Sequence, residues 1–207
     1  MSDPRLTGIY VVLDAQAGAD LERLLAAVLR SGVRLVQYRA KTGVDRGLAR
    51  RLYARTQAAA ALLIVNDDVA AALDADGLHV GQEDLAGLAG VDLRARLGSR
   101  LLGISAETPE RSLQAERLGA DYIGAGPFLQ TATKPDAGTP IGAAGLQAVV
   151  SVTRLPVAAI GGIGLAELAT VAAGGAAMAA VVSAVARAAD PEAAARALVE
   201  HWAEIVR

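Results

Sequence analysis

LLIVNDDVAAALDADGLHVGQED, from Leu62 to Asp84, holds two short apolar runs, each followed by a polar cluster. Leu62–Val65 runs into Asn66-Asp67-Asp68, and Gly77–Val80 runs into Gln82-Glu83-Asp84. Val69–Leu73 between them reads as a short helix. Two strands joined by a helix lie parallel, so both clusters are expected on the same edge of one sheet. Hard oxygens paired on one edge suit a Mg²⁺ ion carrying a phosphorylated substrate. Spacing alone leaves the ligands open among Asp67, Asp68, Glu83 and Asp84. Asp67 reads equally well as an N-cap for the helix starting near Asp68, and Asp84 as a cap for the next turn.

The same strand–helix unit recurs on both sides of this stretch. Strands are expected at Ile9–Leu13, Val33–Tyr38, Leu62–Val65, Gly77–Val80, Leu101–Ser105, Asp121–Gly124, Val157–Ile160 and Ala176–Val182. Helices are expected after Asp20 up to Gly32, over Val44–Ala61, Val69–Leu73, Leu93–Leu97, Pro109–Leu118, Ala143–Val152, Leu165–Ala173 and Pro191–Val206. The strands are almost continuously apolar, as strands buried on both faces are. Eight units in 207 residues average about 26 residues each. That even length, with no GxGxxG after the first strand, favours a single closed (β/α)₈ TIM barrel over residues 1–207 rather than an open doubly wound sheet. The one long connection, Ala125 to about Gly142, marks a functional loop.

Composition narrows the function classes. Charged residues make up 20% of the chain and the net charge is −2, with both signs interspersed. No basic stripe or aromatic platform is present, so nucleic acid is not an expected partner. The absence of cysteine removes disulfides, thiolate metal sites and a cysteine nucleophile, and fits a reducing cytoplasm. MSDPRLTG has no basic start followed by an apolar run, so no signal peptide is expected from it. Leu168–Ala186 lacks charge, but it is mostly alanine and Gly174-Gly175 divides it, so a helix, a turn and a strand are expected rather than a membrane span.

In a barrel of this kind, chemistry sits where the strands end. The residues there are Gln37, Arg39 and Lys41; Asn66 and Asp67; Gln82, Glu83 and Asp84; Ser105; Thr131, Thr133 and Lys134; Gly161 and Gly162; and Ser183. Arg39, Lys41 and Lys134 put three cations on one rim, and with the carboxylates they favour a metal–pyrophosphate site. Gly161-Gly162 and Val182-Ser183 stand after strands seven and eight, where barrels place a phosphate against backbone N–H groups. His79 sits inside a strand between Leu78 and Val80 and reads as a structural histidine. Neither Ser105 nor Ser183 is expected to have a histidine nearby, so no serine nucleophile is expected. The arginine-rich face of the second helix (Arg46, Arg50, Arg51, Arg55) reads as a solvated surface. Two anion sites on one rim suit a reaction joining a phosphate-tagged acceptor to a pyrophosphate-activated donor.

These segments resemble the thiamine-phosphate synthase family. The resemblance is carried in order by QYRAK (Gln37–Lys41), IVNDD, DGLHVGQEDL, LLGIS, GADYIGAGPFLQTATKPDAGTPIG, VAAIGGI and AAVVSAV, and covers about Tyr10 to Val185. It implies condensation of 4-amino-2-methyl-5-hydroxymethylpyrimidine diphosphate with a thiazole ethyl phosphate, releasing pyrophosphate, with Mg²⁺ as cofactor. Carried over residue by residue, Gln37, Tyr38, Arg39, Ala40, Lys41, Asn66, Ser105 and Lys134 would hold the pyrimidine diphosphate. Asp67 and Asp84 would hold Mg²⁺. Thr131, Ala132 and Thr133 would contact the thiazole phosphate, with the backbone of Gly162, Val182 and Ser183 at its phosphate. Arg39, Lys41 and Lys134 would stabilise the departing pyrophosphate. Whether the thiazole arrives carboxylated stays open, as does a homodimer.

Three segments depart from the family pattern: Leu13-Asp14 where Thr-Asp is usual, SAET at Ser105–Thr108, and a missing acidic residue before the last strand. The rival readings are a thiazole tautomerase, which uses a histidine where this chain has Pro127 and Phe128, and a non-catalytic binding regulator.

Overall fold

The computed structural model describes residues 3–88, 91–131, 133 and 137–207. Its strands are β1 Gly8–Asp14, β2 Leu35–Arg39, β3 Leu62–Asn66, β4 Gly77–Val80, β5 Leu101–Ser105, β6 Tyr122–Ala125, β7 Val157–Ile160 and β8 Met178–Val181. All pair in parallel and in sequence order, and β8 returns to β1 to close the barrel. The expected barrel is therefore the observed one. The short uncharged region near the C-terminus is a helix, a turn, β8 and a further short helix. Among the described residues no helix is long and apolar enough to cross a membrane.

The helices are α1 Leu21–Arg30, α2 Arg46–Ala58, α3 Val69–Ala72, α4 Gln82–Gly87, α5 Leu93–Leu97, α6 Pro109–Arg117, α7 Gly142–Val152, α8 Leu168–Ala173, α9 Ser183–Ala186 and α10 Pro191–Ile205. That is ten among the described residues where the sequence predicts eight; the additions are α4 and α9. Side chains cap α1, α2, α3, α5, α6 and α10, through Asp20, Asp45, Asp68, Asp92, Thr108 and Asp190. Each cap satisfies an otherwise orphaned N–H, worth about 1 kcal/mol. Gly81 and Val182, which precede α4 and α9, supply no such bond. The arginine face of α2 is paired rather than merely solvated: Arg46 and Arg50 meet Asp74, and Arg51 and Arg55 meet Glu22.

Alternation along the strands makes two cores. One face of each strand packs against the helices, with Val36, Tyr38, Leu63, Leu78, Ile104 and Ile123 among its members. The other face fills the barrel interior, where Tyr10, Leu35, Ile64, Tyr122, Met178 and Ala180 meet. Two phenol rings in so narrow a space need small neighbours. Gly103 on β5 is one, since a Cβ there would stand inside contact distance of the Tyr122 ring. Gly124 on β6 likewise leaves room for the His79 ring. Gly103→Ala is expected to destabilise the fold by about 1–3 kcal/mol through overpacking. In a urea titration this would appear as a lower midpoint, and an unchanged midpoint would show that Tyr122 has slack.

Candidate active site

The interior face of each strand continues upward to the C-terminal rim, and it carries the polar residues there. Asp14 and Arg39 are register partners at the ends of β1 and β2. Arg39 Nη1 donates to Asp14 Oδ2 at 2.6 Å, with the side chains only 14% and 3% exposed. Asp14 also accepts the Gln16 N–H at 2.8 Å. The carboxylate therefore aims the guanidinium and is itself held by the loop that follows it. Gln37, two residues before Arg39 on the same face, is buried and donates to the Tyr10 hydroxyl at 2.8 Å. Tyr38 points the other way, into the layer under the helices, where its hydroxyl accepts the Asp45 N–H at 3.3 Å. Only its backbone faces the rim. The Lys41 N–H donates to Gln16 Oε1 at 3.3 Å, fastening the loop after β2 to the loop after β1.

The stretch after β3 divides its three polar residues among three tasks. Asn66 ends the strand, opposite His79 of β4. Asp67 takes a left-handed backbone with φ +61°. Asp68, not Asp67, caps α3, accepting the Ala71 N–H at 2.9 Å. The left-handed turn frees the Asp67 carboxylate to reach across to the loop after β4, where it accepts the Gly81 N–H at 3.1 Å. The Asn66 side-chain amide donates to its other oxygen. Asp84 is not a cap either; it lies in the first turn of α4, behind Gly81. A Cβ on Gly81 would meet Asp84 Oδ2 at 3.2 Å and Asp67 Oδ1 at 4.0 Å, so both carboxylates crowd one glycine.

That crowding has an electrostatic consequence. Burial pushes the Asp67 carboxyl up from its ordinary value. The Gly81 N–H pulls it back, Asp84 pushes it further, and Arg39 draws it down. Two crowded carboxylate oxygens fit a divalent cation that fills its remaining positions with water and phosphate oxygens. Among the described residues no group of three or more His, Cys, Asp or Glu gathers to hold a metal. Among the described residues, Asp67 and Asp84 are the carboxylates that could hold one.

Across the rim, a cavity of about 180 Å³ is lined by Asp14, Gln16, Thr133, Val182, Ser183 and Arg187. Val182 and Ser183 are expected there; Gln16 and Arg187 are new. Within the long loop, the Thr133 N–H donates to Thr131 Oγ1 at 3.2 Å. Gly161 and Gly162 both have positive φ, and a Cβ on either would strike Pro127 or Leu129. They therefore also have a packing task. They let the start of the long loop lie on the end of β7, where Phe128 and Leu129 donate to Ile160 and Gly161 at 2.7 and 2.9 Å. Ala132 and Lys134 lie outside the described residues.

One expectation is overturned. Ser105 does have a histidine beside it: His79 Nε2 is 3.0 Å from its Oγ. The register pairs His79 with Gly103, which puts Ser105 one pleat further along the same interior face. His79 is nonetheless buried and bonded on both ring nitrogens, as a structural histidine is.

A closed parallel barrel whose rim holds an aimed guanidinium, a carboxylate pair and a cavity bordered by Thr133, Ser183 and Arg187 defines a barrel enzyme that handles anionic substrates. A family model described as Thiamine monophosphate synthase matches residues 9–185. The thiamine-phosphate synthase of Chloroflexus aurantiacus is 47% identical, covering 92% of this chain and 90% of its own length. That of Roseiflexus castenholzii is 44% identical over 93% and 86%. The solved thiamine phosphate pyrophosphorylase of Pyrococcus furiosus superposes with a TM-score of 0.88 at 31% identity, covering 99% of this chain and all of that one. The chain belongs to the thiamine monophosphate synthase family.

Proposed function

We propose that the chain condenses 4-amino-2-methyl-5-hydroxymethylpyrimidine diphosphate with a thiazole ethyl phosphate, giving thiamine phosphate and pyrophosphate in thiamine biosynthesis. Family membership supports the reaction class. The observation that carries the reading is the Arg39 guanidinium, aimed by buried Asp14 on the rim that holds the Asp67–Asp84 pair.

The methylene–oxygen bond of the diphosphate breaks, and its electrons leave with pyrophosphate. The aminopyrimidine ring delocalises the positive charge left on the methylene carbon. The thiazole nitrogen then forms the new carbon–nitrogen bond. No proton transfer is required, which suits a rim of cations and hydroxyls.

Arg39 and Lys41 would stabilise the charge growing on the leaving group, and Lys134 completes the set in this reading. Asp67 and Asp84 would hold Mg²⁺, which when bound neutralises pyrophosphate oxygens. Gln37, Asn66 and Ser105 would orient the pyrimidine. Thr131 and Thr133, with the backbone of Gly162, Val182 and Ser183, would hold the thiazole phosphate; the cavity that Thr133, Val182 and Ser183 border has the size for one small anion. Positioning and charge stabilisation supply the rate.

Turnover measured with and without EDTA tests the metal. Lys134→Ala tests the third cation, with at least a ~10-fold fall in turnover expected, about 1.4 kcal/mol or more. Unchanged turnover in that variant would remove Lys134 from the pyrophosphate site, and turnover that survives EDTA would remove the metal.

A further inference from the structure

Five side chains inside the barrel form one hydrogen-bonded line, each from a different strand. Gln37 Nε2 donates to the Tyr10 hydroxyl at 2.8 Å. The Tyr10 and Tyr122 hydroxyls are 2.9 Å apart. The Tyr122 hydroxyl is 3.0 Å from His79 Nδ1, and His79 Nε2 is 3.0 Å from Ser105 Oγ. All but Ser105 are buried. The two ends, Gln37 and Ser105, are residues assigned above to the pyrimidine. The three between them have no role in that mechanism.

A hydroxyl has one proton to donate, so a direction imposed at one end of such a line runs to the other. The Tyr10 oxygen accepts the Gln37 amide proton and directs its own proton to Tyr122. Tyr122 then directs its proton at His79 Nδ1. With Nδ1 accepting, a neutral imidazole carries its proton on Nε2 and donates it to Ser105. The Ser105 O–H is left to donate outward, and Gln37 Oε1 is left to accept. Burial pushes both phenols well up, so each keeps the proton the line requires. The opposite sense would make His79 a base for Ser105, and it would need the Gln37 amide reversed.

We propose that His79, together with Tyr122 and Tyr10, is a positioning residue that fixes Ser105 as a hydrogen-bond donor and Gln37 as an acceptor toward the ligand. The ligand assignment rests on the proposed function and deepens it. An aminopyrimidine edge offers the complement, a ring nitrogen that accepts beside an amino group that donates. An oxopyrimidine edge, with a ring N–H beside a carbonyl, presents the reverse pattern, and the line discriminates against it.

The first test needs no activity. The chain has two histidines, His79 and His201, so His201→Gln protein labelled with ¹⁵N-histidine reports His79 alone. The expected spectrum is that of a neutral imidazole protonated at Nε2. A proton on Nδ1, or rapid averaging between the two forms, would overturn the proposal.

The second test reads specificity. Tyr122→Phe removes the hydroxyl that sets the His79 tautomer. It is expected to raise KM for the pyrimidine diphosphate at least ~10-fold while KM for the thiazole phosphate stays within about twofold. Equal rises in both, or no rise, would mean that the line is only structural. If the wild-type chain makes no thiamine phosphate, the functional reading fails, and the tautomer alone decides whether the line has the proposed sense.

Discussion

Arg39→Met is expected to lower turnover on the order of 10²–10³-fold, the loss seen when a preorganised charge at a developing anion is removed. Its second effect is on the fold. Asp14 is the partner that Arg39 leaves behind, and its side chain is 3% exposed. A buried carboxylate without its cation costs about 3–5 kcal/mol. Arg39→Met should therefore unfold at clearly lower urea, while Asp14→Asn with Arg39→Met should recover much of that stability and none of the activity. The separation matters, because a variant that was merely unstable would regain turnover along with its midpoint. Turnover within about threefold of wild type in Arg39→Met would remove the guanidinium from the leaving-group site.

Asp67→Asn carries the second large effect. Asparagine tolerates the left-handed backbone at this position, where φ is +61°, so the substitution removes charge without adding strain. Turnover is expected to fall at least ~10-fold and to lose its response to Mg²⁺. Stability should move the other way.

The folded-state value of Asp67 lies above its unfolded one, mainly through burial and with Asp84 adding to it. Between the two values the folded protein binds more protons than the unfolded chain. Stability from this group is thus present at pH below the unfolded value and is lost as pH rises through the folded one. Above that window, metal-free wild type carries the penalty and Asp67→Asn does not. The variant should show the higher Tm in EDTA at neutral pH and a flatter Tm–pH curve in the acid range. A lower Tm in EDTA would mean that the carboxylate is satisfied by its protein partners alone.

Much of the barrel is legible in the sequence because its strands are apolar on both faces and six of its helices start at an Asp or Thr cap. The two helices that are not predicted, α4 and α9, are only six and four residues long and are entered through Gly81 and Val182 without a side-chain cap. The rim residues are legible as a set, since they follow strand ends. Which neighbour does which task is not. Asn66, Asp67 and Asp68 differ in role because the backbone turns left-handed at Asp67, and no local residue type signals that turn.

The role of Asp14 is not legible in the sequence because its partner is 25 residues away, and only the β1–β2 register brings the two together. The pairing of His79 with Ser105 is not legible for the same reason. Both residues alternate inward, but their contact depends on the β4–β5 stagger and on Gly124 leaving the space. The signal available was the parity of inward residues on successive strands, which places Tyr10, Gln37, His79, Ser105 and Tyr122 on one interior face.

Product formation tests the proposed function most directly. Purified chain is mixed with the pyrimidine diphosphate, the thiazole phosphate and Mg²⁺, and both products are followed with time. Thiamine phosphate and pyrophosphate are expected to accumulate in equal amounts, each dependent on both substrates. Absence of thiamine phosphate with substrates that a known synthase converts would contradict the proposed function.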